Sequence, residues 1–75
     1  MDNCYKHRYK LLGLNIAYYR KLRGLSQEKL AERIDISRTH MSRIETAECA
    51  VSLDVVYCIA DILDIEPYKL FLNRD

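Results

Sequence analysis

The chain has 75 residues, 49% of them apolar, and a net charge of only +1. That length predicts one domain whose small core hides about 60% of the unfolded surface, and the apolar share argues against a disordered tail. There is no run of about 18 apolar residues, so no membrane span is expected, and the start MDNCYKHRYK lacks an apolar signal core, so a cytoplasmic location is expected.

Apolar spacings of three and four, a single proline and two glycines predict an all-α fold. The first helix is expected over about Lys10 to Leu22, with a possible earlier start; Leu12, Ile16 and Tyr19 form its stripe. Gly24 follows where a left-handed cap residue belongs. Ser26 is placed to cap a second helix, although Lys29 rather than Glu stands at the capping-box position. Leu30, Ala31 and Ile34 form its inner face, and Asp35 ends it.

Ser37 is placed to cap a third helix, with Met41 and Ile44 pointing inward. Ser52 is placed to cap a fourth, whose stripe is Leu53, Val56, Ile59, Ala60 and Leu63. Pro67 suits the first turn of a short fifth helix, where Tyr68, Leu70 and Phe71 can close the core. The expectation is a compact bundle of about five helices with its core over about residues 10–72. Residues 1–9 form an N-terminal arm or a helix extension. Lys6, His7, Arg8 and Lys10 could touch a polyanion there, but a frayed, solvated start is the plainer expectation.

Cysteines 4, 49 and 58 are odd in number and lack zinc-knuckle spacing. Neither a disulfide framework nor a metal site is expected, and Cys58 is read as a small packed side chain. No cofactor is implied. Catalysis is not expected either: no nucleophile, base and orienter fall together, and there is no glycine-rich phosphate loop.

Net charge hides an asymmetry. Residues 1–44 hold ten Lys/Arg and four Asp/Glu, a net +6; residues 45–75 hold two and seven, a net −5. Solvated surface charge explains this as well as a basic end that attracts phosphate. The second and third helices add more. About three residues join them, which is the helix-turn-helix arrangement. Its second helix enters a DNA major groove about 12 Å wide while the first crosses the backbone. Ser37, Arg38 and Thr39, then Ser42 and Arg43 one turn later, would meet the base edges. Thr39, Ser42 and Arg43 share nearly one outer face, opposite Met41 and Ile44.

The stretches RGLSQEKLAERI, ISRTHMSRIE and SLDVVYCIADILDIEPYKLF resemble the phage-repressor-like helix-turn-helix family, the Xre family. The likeness spans roughly Leu12 to Phe71 and implies a lambda-repressor-like fold. It also implies roles. Gln27 contacts phosphate and braces the reading helix. Arg38, Thr39 and Arg43 take base-reading positions, with Ser42 on their face. Ser37 and His40 fall where phosphate contacts are common, and Arg20 and Glu45 match a structural ion pair. Two departures stand out. Asp35 and Ala47 occupy positions where the family usually has Gly, so Asp35 carries some strain and the loop after Glu45 could take another path.

The function implied is a sequence-specific DNA-binding transcriptional regulator. It would be a minimal repressor or controller that binds double-stranded DNA at a palindromic operator as a homodimer. Such dimers usually meet near the last two helices, where Val51, Val55, Ile65, Tyr68 and Phe71 exceed what one small core needs. The rival is an antitoxin-like or regulatory module on the same fold that binds a protein partner. Retention on DNA that falls steeply with salt separates the two.

Overall fold

A computed structural model describes residues 3–74. Among them are four α-helices: α1 (Lys6–Leu22), α2 (Gln27–Arg33), α3 (Arg38–Glu45) and α4 (Leu53–Leu63). A 3-10 turn at Asn3–Tyr5 leads into α1, and a 3-10 helix at Pro67–Phe71 follows α4. No helix among the described residues is long and apolar enough to cross a membrane.

Three helices open in the same way. The hydroxyls of Ser26, Ser37 and Ser52 accept from the backbone N–H of Lys29, His40 and Val55, which removes one orphan donor from each first turn. All four helices close alike too. Gly24, Asp35, Ala47 and Asp64 each have φ between 55° and 73°. After each, the next residue's N–H reaches back five residues: Leu25 to Arg20, Ile36 to Ala31, Glu48 to Arg43 and Ile65 to Ala60. Each is a Schellman closure, which turns the chain sharply and satisfies the last carbonyls.

Only one of those four left-handed residues is glycine. Ala47 keeps the left-handed geometry that the family's usual Gly would supply, and it is fully buried. Asp35→Gly is expected to stabilise by about 0.5–1 kcal/mol, because relief of the left-handed cost exceeds the extra unfolded-state entropy. Ala47→Gly should be nearly neutral, since it also forfeits a buried methyl of about 0.8 kcal/mol. Thermal unfolding of the two variants checks both; a lower midpoint for Asp35→Gly would contradict the strain.

Every helix feeds one core. Leu12 and Ile16 of α1, Leu30 and Ala31 of α2, Met41 and Ile44 of α3, and Val56, Ile59, Ala60 and Leu63 of α4 are buried around Leu70. Asn15, also wholly buried, ties the tail to α1. Its amide donates to the Leu70 and Leu72 carbonyls, at 2.9 and 2.8 Å, and its oxygen accepts from Arg74 Nε. Arg23 joins the end of α1 to the end of α4 by donating to the carbonyls of Leu63 and Asp64.

Several expectations need correction. α1 begins at Lys6, the earlier start that the sequence left open, so residues 6–9 are a helix extension and not the frayed start expected. Tyr5 caps it without a side-chain bond, and Tyr9 anchors the added turn against the core. Of the rest of the supposed arm, Asn3–Tyr5 form the 3-10 turn and residues 1 and 2 lie outside the described residues. The fifth α-helix is instead a five-residue 3-10 segment; Pro67 supplies no N–H, and so short a piece closes with i+3 bonds such as Lys69 to Glu66. Only Leu70 of that segment enters the core, while Tyr68 and Phe71 are exposed. Leu53 stands at the first position of α4, beyond the rim of the core, and is 59% exposed. Cys58 lies two residues from Val56, about 200° around the helix, and so faces outward.

Candidate nucleic-acid interface

The corner between α2 and α3 is Ile34–Ser37. Asp35, at φ 61°, makes the bend, and Ile34 and Ile36 on either side pack against the core. Both flanks of the corner are therefore pinned, and α3 leaves it in a fixed direction. Met41 and Ile44 are 0% and 2% exposed, which anchors the inner face of α3. Arg38, Thr39, His40 and Arg43 are exposed, and Ser42 is half-buried.

Gln27, Arg38, Thr39, Ser42, Arg43 and Glu48 together line a shallow polar depression of about 330 Å³. All four base-reading candidates therefore border one concavity, with Gln27 of α2 beside them. Ser37 and His40 do not line it. The Ser37 hydroxyl is used in capping, accepting from the His40 N–H at 3.0 Å, and the His40 imidazole is exposed on the flank.

Behind that depression is a buried ionic network. Arg20 Nε donates to Glu45 Oε2 at 2.7 Å, and its Nη2 donates to Oε1 at 3.1 Å. Arg20 Nη1 also donates to the Leu25 carbonyl. Gln27 Nε2 completes the set by donating to Glu45 Oε1 at 2.9 Å. The charges thus join α1, the first turn of α2 and the last turn of α3. Gln27 serves both the network and the depression.

Three residues here had no assigned role from sequence. Asn15 and Arg23 act on chain segments 40 or more residues away, which local patterning cannot reveal. Glu48 lines the depression yet lies outside α3; its signal is a charged residue directly after a helix-closing position.

Comparison with known proteins agrees with this geometry. The helix-turn-helix family HTH_3 matches residues 16–70. The chain is 33% identical over 73 residues to the control protein C.SmaI of Serratia marcescens, a match covering 97% of this chain and 87% of that protein. The restriction-modification controller protein C.AhdI from Aeromonas hydrophila superposes with a TM-score of 0.85 at 32% identity, covering 91% of this chain and 99% of that one. A hypothetical transcription factor from Neisseria, NHTF, gives a TM-score of 0.84 at 28% identity over 89% of this chain and 77% of that one. With a Ser-capped α3 turned outward behind a short corner and a family match over most of its length, the chain belongs to the HTH_3, or Xre-type, helix-turn-helix family.

Proposed function

We propose that the chain is a sequence-specific DNA-binding transcriptional regulator that acts by occupying an operator. The observation that carries this is the shared depression: Arg38, Thr39, Ser42 and Arg43 border one outward concavity while Met41 and Ile44 hold the same helix from behind. In this reading α3 enters the major groove, with those four residues meeting the base edges and Gln27, Ser37 and His40 meeting phosphate. The likeness to C.SmaI and C.AhdI supports a controller role of the restriction–modification kind.

Selection of bound sequences from a random DNA pool tests the reading. One recovered motif is the expected result, and no enrichment would favour a protein-binding module. On the selected site, Arg43→Ala is expected to weaken binding by about 1–3 kcal/mol and to relax preference at one base pair, as loss of a guanine contact requires. A uniform loss over all sequences, with the salt slope smaller by about one, would reassign Arg43 to phosphate.

A homodimer on a palindrome completes the reading, because one short helix spans too few base pairs to single out an operator. Tyr57 on α4, with Tyr68, Phe71 and Leu72 after it, leaves large apolar groups exposed on the last helix and the segment that follows it. Val51, Val55 and Ile65 pack partly against the core beside them. Sedimentation at micromolar concentration should therefore give a species of twice the 8.9 kDa chain mass. A single-chain species at every concentration, with a non-palindromic selected site, would exclude the dimer.

A further inference from the structure

The four helix closures differ at one place. A Schellman closure usually sets an apolar side chain directly after the left-handed residue, where it folds back on the helix. Leu25, Ile36 and Ile65 follow that rule after α1, α2 and α4. After α3 the residue is Glu48, and its side chain is exposed. The Glu48 N–H donates to the Arg43 carbonyl at 2.8 Å, so the turn returns Glu48 to the end of the reading helix. Its side chain joins Arg38, Thr39, Ser42 and Arg43 around the depression.

The carboxylate is held there. Thr46 Oγ1 lies 2.6 Å from Glu48 Oε2 and 2.9 Å from the Ser42 carbonyl oxygen, so its hydroxyl proton is shared between these acceptors. Among the described residues, the ion pair within 4 Å is Arg20–Glu45; neither Arg38 nor Arg43 pairs with Glu48. An acceptor is therefore presented beside two donors without being neutralised by them.

An acceptor-only group in a major groove has few matches. Guanine offers O6 and N7 and thymine offers O4, all lone pairs that repel a carboxylate. Adenine sets its N6 amino group beside the N7 lone pair, which a carboxylate meets poorly. The cytosine N4 amino group is the remaining donor and the usual match for Glu. Phosphate repels it outright.

We propose that Glu48 is a specificity-determining residue that accepts a hydrogen bond from a cytosine N4 amino group at the edge of the footprint of α3. Arg43 and Glu48 then act as a donor and acceptor pair, so the operator carries guanine and cytosine contacts at that end of the helix. This rests on the DNA-binding reading above.

Glu48→Gln keeps the shape, removes the charge and leaves the buried core untouched. Selection from a random pool is run on the wild-type chain and on this variant, each checked for helical content. The expected result is a wild-type motif with a fixed cytosine whose preference falls about tenfold in the variant, with adenine newly tolerated there and the other positions unchanged. Equal tightening on every sequence, with a steeper salt dependence, would mean that Glu48 only repels phosphate and would overturn the proposal. An unchanged motif would overturn it as well. If the wild-type chain enriches no sequence, the DNA-binding reading itself falls; a wild-type motif that the variant shares refutes the role of Glu48 alone.

Discussion

Replacing Glu45 with Ala is expected to lower the stability of the fold by about 3–5 kcal/mol, the usual result of stripping one partner from a buried ion pair. The side chains of Arg20 and Glu45 are only 9% and 5% exposed, so water cannot take over the lost contacts. Without the carboxylate, the Arg20 Nε and Nη2 donors are left buried with their charge uncompensated, and Gln27 Nε2 loses its acceptor. A domain of this length has roughly 4–11 kcal/mol in total, so the variant should lose a large share of its stability and unfold at a much lower urea concentration. Urea unfolding of Glu45→Ala, Arg20→Ala and the double variant measures the coupling. The double variant should be milder than the sum of the singles, because it leaves neither charge stranded. Strict additivity would mean that the pair contributes no coupling, whatever its distance.

On the DNA-binding reading proposed above, the network couples stability to DNA recognition in so small a chain. Glu45 is the last residue of α3, and Arg20 belongs to α1. Helix α3 is therefore fixed at its start by the corner and at its end by a charge from the helix behind it. Loss of either fixture lets α3 tilt, and a groove contact tolerates little misplacement before its hydrogen bonds fail.

Much of this was legible because its chemistry is local. Ser26, Ser37 and Ser52 declare helix starts through hydroxyls that reach an N–H three residues on, and Gly24 and Asp35 declare ends through the conformations they tolerate. The inward set on α3 followed from helical phase alone. The start of α1 was less clear, because Tyr5 provides no capping bond to mark it. Cys58 is small and apolar enough to suggest packing, yet its phase on α4, opposite Val56, points it outward. Tyr68 and Phe71 were harder, because a 3-10 segment does not keep the 3.6-residue period on which the expectation rested. The pairing of Arg20 with Glu45 came through resemblance; no local pattern links residues 25 apart. The polar rim supplied by Glu48 has no signal within α3, because Glu48 reaches the depression only through the turn that follows that helix.

Gly13 is the clearest case of a residue whose importance only packing reveals. It is buried in the middle of α1, where glycine is a poor choice on propensity, and Ala there would gain about 1 kcal/mol in an isolated helix. The reason lies across the interface. A Cβ on Gly13 would run into the Glu45 carbonyl oxygen, with the Glu45 carbonyl carbon and the Ile44 carbonyl oxygen both at 2.8 Å. These are backbone atoms at the end of α3, and no side-chain rotation can relieve the clash. Gly13→Ala must therefore separate α1 from α3. Overpacking costs about 1–3 kcal/mol, and a clash with backbone falls at the upper end, so a net loss of about 2 kcal/mol remains after the propensity gain. The unfolding midpoint should fall by about 8–16 °C for a domain of this size. Gly24→Ala is the contrast: nothing lies within 4 Å of its would-be Cβ, and its φ of +73° accounts for the whole penalty. That variant should lose only about 1–2 kcal/mol, without moving any helix. A Gly13→Ala chain as stable as the parent would show that α1 and the last turn of α3 do not approach this closely. On the DNA-binding reading proposed above, a destabilised one should also bind DNA more weakly at temperatures where it is still folded, because the displaced segment is the end of α3.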